Sequence, residues 1–395
     1  MEFRIVPTML QDGSVLDDES KQVLRDLYVE EGDAAWETVA GDDPLDERRL
    51  ARNSYTLEEL EAQSACIRET VSLEREAIAE VARAVCKTRV DMIYLLGCGD
   101  SLAALRGERF FLESLLGIPC REEDPLDFCC YNSSTVNEHT LVLGLSSSGR
   151  TIRIVEALLK ARALGAQTIA LTNSPESPLA RIATCKVLIH ASRKGWPTQS
   201  STSAMAAVVE LGLAMARCLG RQDVEAYAED FARIPDLMAE TIEATRDHMR
   251  DLAERLFDRT MFFFCGAGPF FTCAEFGSAK VKEATPSYAM PVLLEEFHHY
   301  NTVKAGDPLF LIAPPGESPY RGLETILACH QLGGEAYVLT GAGEEKLLAE
   351  ADDAIVIPEV RECFANFLYS VPLQQFGYYL STVMERKARE EIAGA

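Results

Sequence analysis

The chain has 395 residues, of which 47% are hydrophobic and 25% are charged, proportions that exclude a disordered or fibrous protein and leave room for two globular cores. Its formal net charge of −24 at pH 7 repels nucleic acid and anionic membrane surfaces, so neither is expected as a partner. There is no run of about 18 apolar residues and no secretory signal pattern, and a cytoplasmic protein is therefore expected.

The first segment, residues 1–55, is rich in charge and poor in periodicity, as in the runs DDES, EEGD and GDDPLDERR. This composition predicts an N-terminal extension rather than a domain. Thr56 and Glu59 then have the spacing of a capping box, in which two side chains satisfy the first backbone donors of a helix. The pattern predicts a long amphipathic helix from there to about Cys86.

From Asp91 onward, apolar runs that predict strands alternate with patterns that predict helices. The first series contains the runs DMIYLLG, TLVLGLS, QTIALTN and KVLIHA. After a charged helical stretch at about 222–257, a second series follows with TMFFFCGAG, YAMPVLL, DPLFLIAPP, EAYVLTG and DAIVIPEV. Strands that alternate with helices in this way predict parallel sheets covered by helices.

The two series repeat each other at a constant distance along the chain. The run TLVLGLS starts at residue 140 and PLFLIAP at residue 308, and the same 168 residues separate AQTIALTN at 166 from GEAYVLTG at 334. A constant offset predicts a duplicated domain. The predicted fold class is α/β, with two repeated doubly wound parallel-sheet domains at 56–221 and 222–395 behind an N-terminal extension at 1–55.

The first candidate site is the sequence Gly97-Cys98-Gly99-Asp100-Ser101, where an apolar run ends and a helical pattern starts. Glycines allow a tight turn and a close approach of the backbone to a ligand, and the Ser101 hydroxyl is suited to cap the helix and to donate to an oxygen. A plain strand-to-helix turn explains the same residues. A dinucleotide site is less favoured, because the third glycine of G-x-G-x-x-G is missing.

The second candidate site is the run SSSGRT at residues 146–151, again between a buried strand and a helix. Its hydroxyls and the amide donors of a helix N-terminus converge on one place, which predicts a phosphate-binding loop. The alternative is a helix cap with spare serines. The matching residues of the second repeat, 313–317, read APPGE and have lost these hydroxyls and amide donors, so only the first domain is expected to hold a phosphate.

These motifs resemble those of the SIS (sugar isomerase) family, whose first domain carries a C-G-x-S turn and an S-x-S-G-x-T phosphate loop. The resemblance is to fructosamine-6-phosphate deglycases and to the isomerase half of glucosamine-6-phosphate synthase, and it implies tandem flavodoxin-like SIS domains over about residues 60–385. It also implies that a further S-T segment, here in residues 200–203, lines the sugar, although the synthases commonly have a lysine at the place of Ser203. The residues implied to bind the sugar phosphate are Gly99, Ser101, Ser146, Ser147, Ser148, Thr151, Ser201 and Thr202.

A third constellation contains Lys280, Lys282 and Glu283, followed by His299 in the run EEFHHY. Interconversion of C1 and C2 of a sugar requires a carboxylate that moves a proton between the two carbons and an acid/base that opens the ring, and glutamate and histidine suit these tasks near neutral pH. The resemblance assigns these catalytic roles to Glu283 and His299. The residues alone are also explained by a charged helix face followed by a polar turn, and His298 is a neighbour that could be mistaken for the functional ring.

Two departures from the synthases narrow the expected activity. The synthases begin with a glutaminase domain that has an N-terminal cysteine nucleophile, whereas this chain begins Met1-Glu2-Phe3, so glutamine-dependent synthesis is not expected. They end in a tail with a catalytic lysine, whereas Lys387 is the only lysine in the final run MERKAREEIAGA and is expected to be a solvated helical residue.

The favoured function is a deglycase that converts a 6-phosphofructosyl amine, such as a 6-phosphofructosyl amino acid, into glucose 6-phosphate and the free amine. An aldose–ketose isomerase or an amino-sugar deaminase-isomerase would use the same two groups, and a non-catalytic sugar-phosphate sensor is the alternative from another class. A carboxylate on the amine would favour a basic residue such as Arg150 or Lys194 near the site. The resemblance implies a homodimer or a higher homo-oligomer in which the histidine reaches the neighbour's site.

The twelve cysteines contain no C-x-x-C pair, which argues against a zinc site. Several lie in apolar runs, such as 262–265 and 214–218, and are expected to be reduced core residues. The deglycase chemistry needs neither a metal nor an organic cofactor, so none is expected.

Overall fold

The computed structural model describes residues 6–33 and 43–394. Short strands alternate with helices, as the apolar runs predict. The strands are β1 (Met92–Leu96), β2 (Cys120–Glu123), β3 (Thr140–Leu145), β4 (Gln167–Thr172), β5 (Cys185–Leu188), β6 (Met261–Gly266), β7 (Tyr288–Leu293), β8 (Pro308–Ile312), β9 (Glu335–Thr340) and β10 (Asp353–Val356). The helices are α1 (Asp18–Asp33), α2 (Glu47–Glu61), α3 (Gln63–Val85), α4 (Asp100–Leu116), α5 (Pro125–Asp127), α6 (Ile152–Ala163), α7 (Pro178–Ile182), α8 (Gln199–Cys218), α9 (Val224–Ala232), α10 (Ile234–Leu256), α11 (Phe271–Ala284), α12 (Pro319–Gln331), α13 (Glu345–Glu350) and α14 (Glu362–Gly394).

The described residues form two compact units. Unit 1 contains residues 6–33, 68–191 and 203–227, and unit 2 contains residues 43–67, 192–202 and 228–394. The segments 43–67 and 192–202 thus belong to unit 2, although the rest of that unit begins only at residue 228. The linear domain bounds given above stay a prediction, and residues 1–5 and 34–42 of the predicted extension lie outside the described residues.

Unit 1 contains a parallel sheet with the strand order β2-β1-β3-β4-β5. The central strand β3 is buried at every position, as expected for a strand that helices cover on both faces. Leu24 and Leu27 of α1 lie on one helix face and join Val142 of β3 and Leu158 of α6 in one apolar core. The strand β2 is not evident from the sequence, because this edge strand reads CREE and is buried only at Cys120.

Unit 2 contains a second parallel sheet with the order β10-β9-β8-β6-β7. When the strands of each unit are numbered from one, both sheets have the order 2-1-3-4-5, which is the flavodoxin-like arrangement. The offset of 168 residues also separates the start of β2 from that of β7, and the start of β5 from that of β10. The predicted fold class, two repeated doubly wound α/β domains, is confirmed.

The helix predicted at residues 56–86 consists of two helices, α2 and α3, and the first of them starts earlier than predicted. The predicted capping box is wrong, because the side chain of Asp46 caps α2 by accepting bonds from the amides of Arg48 and Arg49. Thr56 lies inside this helix. An aspartate at the cap position thus overrides the threonine–glutamate spacing that begins ten residues later.

All twelve cysteines have free thiols, and five of them are buried: Cys120, Cys129, Cys265, Cys273 and Cys329. The prediction of core positions is wrong for two others, Cys130 and Cys218, which are exposed. Cys218 is the last residue of α8, where the helix leaves the apolar layer. None of the helices in the described part of the chain combines the length and the apolar content needed to cross a membrane.

Candidate functional site

Two loops of unit 1 lie side by side at the carboxyl ends of β1 and β3, which are neighbours in the sheet. The sheet continues from β1 to β2 on one side and from β3 to β4 on the other, so these ends form a topological switch point. Ligands of doubly wound sheets bind in the crevice at such a point. The structure therefore brings together the first two predicted motifs, residues 97–101 and 146–151.

The loop after β1 turns tightly because of its two glycines. A Cβ on Gly97 would lie 2.5 Å from the amide nitrogen of Leu102, so no larger residue fits. Gly99 has a φ of 56° and is itself the cap of α4. The prediction that Ser101 caps this helix is wrong, since Ser101 is its second residue and lies partly exposed there. Burial raises the pKa of the Cys98 thiol to about 11, so the thiol is protonated near neutral pH.

The loop after β3 is held in shape by Ser146, whose side chain is buried. Its hydroxyl lies 2.9 Å from Thr151 Oγ1 and accepts a 3.1 Å hydrogen bond from the amide of Gly149. Gly149 has a φ of 64°, and a Cβ at this position would lie 2.0 Å from the hydroxyl oxygen of Ser177. Only glycine fits this backbone and this space. Ser146 and Gly149 therefore shape the loop from within.

The other hydroxyls of this loop surround the N-terminus of α6. Ser147 is partly exposed and Ser148 is exposed, while Thr151 occupies the cap position without a side-chain bond to its own helix. The carbonyl of Ser147 accepts bonds from the amide of Asn173 at 3.0 Å and from the hydroxyl of Thr172 at 3.2 Å, which fixes the loop to the end of β4. Hydroxyls and amide donors at the start of a helix suit an oxyanion such as a phosphate.

The corresponding loop of unit 2, after β8, is closed by an acidic side chain. A Cβ on Gly316 would lie 2.6 Å from Glu362 Oε1, and the amide of Glu317 lies 3.5 Å from the same oxygen. A carboxylate at this place repels a phosphate and occupies the amide that a phosphate would need. This arrangement supports the expectation that only the loop in unit 1 binds a phosphate.

Glu283 lies in the last turn of α11 in unit 2, next to a buried lysine. Lys280 is 1% exposed, and its Nζ lies 2.5 Å from Glu283 Oε2. The helix α14 passes close behind Lys280, because a Cβ on Gly377 would lie 2.6 Å from Lys280 Cβ. A buried ammonium group requires an anionic partner, and Glu283 supplies it from a partly exposed position.

The adjacent histidines of unit 2 have different surroundings. The side chain of His299 is 61% exposed, and its Nε2 lies 3.4 Å from Glu295 Oε1. His298 turns inward, and its Nε2 lies 2.9 Å from the hydroxyl of Thr325. Burial, together with the charge of Arg321, lowers the pKa of His298. His299 is therefore the histidine of this pair that is accessible to a ligand or to another chain.

The segment 192–202 of unit 2 is held by α2 through a single carboxylate. Glu59 accepts hydrogen bonds from the hydroxyl of Ser192 at 2.7 Å, the amide of Lys194 at 2.6 Å and the amide of Gly195 at 3.1 Å. Glu59 is buried, and these charge-assisted bonds replace its lost hydration. The sequence does not reveal this role, because Glu59 also fits the spacing of a capping box.

A second set of bonds connects this segment to α11. The indole Nε1 of Trp196 donates to Asn53 Oδ1 at 2.6 Å, and Asn53 Nδ2 donates to the carbonyl of Ala284 at 3.2 Å. Ala284 directly follows Glu283 in the chain. Within unit 2, α2 thus positions both the segment 192–202 and the end of α11 that carries Glu283.

The two predicted sugar-binding residues of this region, Ser201 and Thr202, are buried in the first turn of α8. The hydroxyl of Thr202 donates to Gln63 Oε1 at 3.1 Å. Gln199 Oε1 accepts a bond from the thiol of Cys66 at 2.7 Å. These contacts fix the start of α8, and a direct role of Ser201 and Thr202 in sugar binding stays a prediction.

Two basic residues singled out in the sequence have partners of their own. Arg150 forms an ion pair with Glu30 of α1. Lys387 lies on α14, where its Nζ is 3.5 Å from Glu390 Oε2. Within the described part of the chain, no group of three His, Cys, Asp or Glu side chains is arranged to hold a metal ion.

The family model described as SIS domain matches the chain twice, at residues 88–217 and 256–384. The chain belongs to the SIS family. One SIS match contains the sheet of unit 1, and the other contains the sheet of unit 2. The duplication seen in strand order and in sequence offset is therefore a tandem of two SIS domains.

Named relatives of this SIS protein act on sugar phosphates. The glutamine–fructose-6-phosphate aminotransferase (isomerizing) of Thermus thermophilus is 27% identical over 343 residues, which are 84% of this chain and 56% of the relative. This chain thus spans little more than half of that relative. Among solved structures, the C-terminal domain of glucosamine-fructose-6-phosphate aminotransferase from Francisella tularensis has a TM-score of 0.77 at 19% identity, covering 84% of this chain and 96% of that one.

A second solved structure, tagatose-6-phosphate ketose/aldose isomerase from Escherichia coli, has a TM-score of 0.68 at 16% identity and covers 84% of this chain and 93% of its own. At these identities, the two solved structures show that the fold is shared. The reaction and the substrate of this SIS protein require arguments from its own residues.

Replacing Thr151 of the SIS loop by valine should weaken the binding of glucose 6-phosphate about tenfold, because a hydroxyl is lost while the volume is kept. Isothermal titration of the purified protein measures this change. Thr151→Ser keeps the hydroxyl and should bind almost as tightly as the unchanged protein. Equal affinities of the valine and serine variants would show that the hydroxyl does not contribute.

Replacing Glu59 by glutamine should lower the free energy of unfolding by about 1–3 kcal/mol, because an amide group would face backbone donors that now meet a carboxylate. The midpoint of urea unfolding measures this loss, and limited proteolysis should show faster cleavage within residues 192–198. Glu58→Gln, an exposed neighbour on the same helix, is the control and should change neither quantity. An unchanged midpoint in Glu59→Gln would contradict the structural role assigned to its carboxylate.

Proposed function

We propose that this SIS protein is an enzyme that moves a proton between C1 and C2 of a phosphorylated sugar, and that its reaction is the deglycation of a 6-phosphofructosyl amine. The observation that carries this proposal is the carboxylate of Glu283, which is partly exposed at the end of α11 and paired at 2.5 Å with the buried Lys280. A carboxylate that is held in place and kept accessible is suited to take up and return a proton.

The proposed chemistry balances without a metal or an organic cofactor. In the open-chain substrate, the nitrogen is bonded to C1 and C2 is a carbonyl carbon. Glu283 removes a proton from C1 while the C2 oxygen gains one, which gives an enaminol. The proton then returns to C2 as the nitrogen loses its own, which gives an imine between the nitrogen and C1. Water adds to C1, and cleavage of the C–N bond releases the amine and glucose 6-phosphate.

The phosphate is assigned to the loop after β3, with Ser147, Ser148 and Thr151 as donors and Ser146 as the residue that shapes the loop. Gly99 and Ser101 of the neighbouring loop are assigned to the same ligand. The closure of the matching loop in unit 2 by Glu362 supports this choice, since a carboxylate in that loop disfavours an anion.

Ring opening is assigned to His299, and we infer that it acts in the site of a second copy of the chain. His299 lies on the loop after β7, an edge strand of its sheet. Tyr288, Met290 and Leu293 of this strand are exposed, and so is Tyr300 next to the histidine. Exposed apolar side chains on an edge strand favour contact with another chain. A homodimer formed there would carry His299 into its interface.

An aldose–ketose isomerase is the second candidate, because it would use the same proton transfer and because the named relatives include enzymes described as isomerizing. Both reactions would use the same carboxylate, and the release of an amine distinguishes the deglycase from the isomerase.

Product analysis tests the reaction. The purified protein should convert 6-phosphofructosyl amines into glucose 6-phosphate and free amine, and Glu283→Gln should lower kcat by at least about a hundredfold, because the glutamine amide cannot accept the proton. Lys282→Gln changes an exposed residue of the same helix and should retain activity. Conversion of fructose 6-phosphate to glucose 6-phosphate without amine release would identify an isomerase instead. Tight sugar-phosphate binding without any turnover would identify a sensor.

Complementation between subunits tests the role of His299. Glu283→Gln and His299→Ala should each be inactive as homodimers, whereas a random mixture of subunits should recover about a quarter of the normal activity, because half of the dimers would contain one intact site of two. His298→Ala should be active by itself and is the matched control. Absence of recovery in mixed dimers of confirmed composition would show that His299 does not act across subunits.

A further inference from the structure

The loop after β3 carries a single charged side chain. Residues 146–151 read SSSGRT, and Arg150 is the charged residue among them. Its backbone amide donates to Ser148 Oγ at 3.3 Å, so Arg150 is part of the loop itself. When the matching loops of the two units are aligned at their glycines, Arg150 corresponds to Glu317. The loop that is suited to an anion thus has a cation where the closed loop of unit 2 has an acidic residue.

The partner of Arg150 comes from the N-terminal part of unit 1. The guanidinium of Arg150 forms an ion pair with the carboxylate of Glu30, which lies in the last turn of α1. The apolar face of α1 packs in the core of unit 1. Two residues before Glu30, the ring of Tyr28 lies against the guanidinium of Arg153 of α6, 5.3 Å from the ring centroid. A helix that is packed in place therefore presents Glu30 to the loop.

Both charges of this ion pair oppose the dipoles of their own helices. Arg150 directly precedes Thr151, the N-terminal cap of α6, where the partial positive charge of the helix disfavours a cation. Glu30 lies in the last turn of α1, where the partial negative charge disfavours an anion, and this turn contains no basic residue. Local electrostatics thus favours neither residue at its place. Conflicts with local rules are expected mainly at functional sites.

The ion pair is also open to solvent. The side chains of Arg150 and Glu30 are 51% and 55% exposed. Water and salt screen an ion pair between exposed side chains, so breaking it costs little. A phosphate monoester carries a charge of about −1.5 to −2 at pH 7 and offers three oxygens to the planar guanidinium, which makes it a stronger partner than one carboxylate. A bound phosphate is therefore able to take Arg150 from Glu30.

We propose that Arg150 binds the phosphate of the substrate and that Glu30 competes with this phosphate for the guanidinium. This inference rests on the phosphate assignment made in the proposed function. The hydroxyls and amides of the loop are neutral donors, and the net charge of −24 repels an anion at long range. Arg150 supplies a cation at the loop, and Glu30 withholds it until a phosphate arrives. Helix α1 thereby sets the affinity of the loop for phosphate.

A double-mutant cycle on the ion pair tests the proposal. The dissociation constant of glucose 6-phosphate is measured by isothermal titration for the unchanged protein, for Arg150→Met, for Glu30→Gln and for the double variant. The affinity of inorganic phosphate is measured with the same four proteins by displacement of glucose 6-phosphate. Arg89→Met is the matched control, because Arg89 forms an exposed ion pair with Asp91 before the amino end of β1, at the edge of the sheet opposite to the loop.

Arg150→Met should weaken the binding of glucose 6-phosphate and of inorganic phosphate by about tenfold each, because a charge-assisted contact with the phosphate is lost. Glu30→Gln should strengthen the binding of both ligands about 3- to 10-fold, because the competing carboxylate is removed. In the Arg150→Met background, Glu30→Gln should change either affinity by less than about twofold. Arg89→Met should bind both ligands as tightly as the unchanged protein.

Unchanged or weaker binding in Glu30→Gln would overturn the proposal, since Glu30 would then not compete with the phosphate. A loss in Arg150→Met that affects glucose 6-phosphate and spares inorganic phosphate would overturn it as well, because Arg150 would then contact the sugar. If this inference alone is wrong, Thr151→Val weakens the binding of glucose 6-phosphate and Arg150→Met does not. If the phosphate assignment itself is wrong, neither variant weakens it. Failure of the deglycase reaction leaves all of these affinities as expected.

Discussion

The buried carboxylate of Glu59 is the contact on which the candidate site in unit 2 depends. It joins α2 to the segment 192–202 through three donors, and the buried amide of Gly195 would be unsatisfied without it. The same helix reaches α11 through Asn53 and the carbonyl of Ala284. Glu59 and Asn53, both on α2 and far from Glu283 in sequence, thus position the segment 192–202 and the end of α11.

The two SIS domains share a topology and differ in the chemistry of their loops. The order 2-1-3-4-5 gives each sheet a switch point at the ends of two adjacent strands. In unit 1, the loop at this point contains hydroxyls around a helix start, whereas in unit 2 a carboxylate from α14 closes it. One switch point is therefore suited to an anion, and the other is not.

Charge is distributed unevenly for a chain with a net charge of −24. Some basic residues on the surface have acidic partners, as in the pairs Arg386–Glu254 and Arg217–Glu225. Such exposed pairs contribute little to stability, about 0–1 kcal/mol each, but they neutralise cations that would otherwise attract anions. The hydroxyl loop after β3 favours an anionic ligand through neutral donors at a helix start.

The amino-acid sequence by itself determined the fold class, because strands buried on both faces must read as apolar runs and a duplication preserves their spacing. Glycines and hydroxyls at the ends of those runs also located the loops after β1 and β3. The edge strand β2 and the true start of α2 were not evident, since one is charged and the other depends on Asp46 rather than on Thr56. Only the tertiary structure decided the partners of Glu59 and Asn53, because these contacts join segments that are distant in sequence and have no local pattern. It also decided that Lys280 is buried, since α14 packs against it.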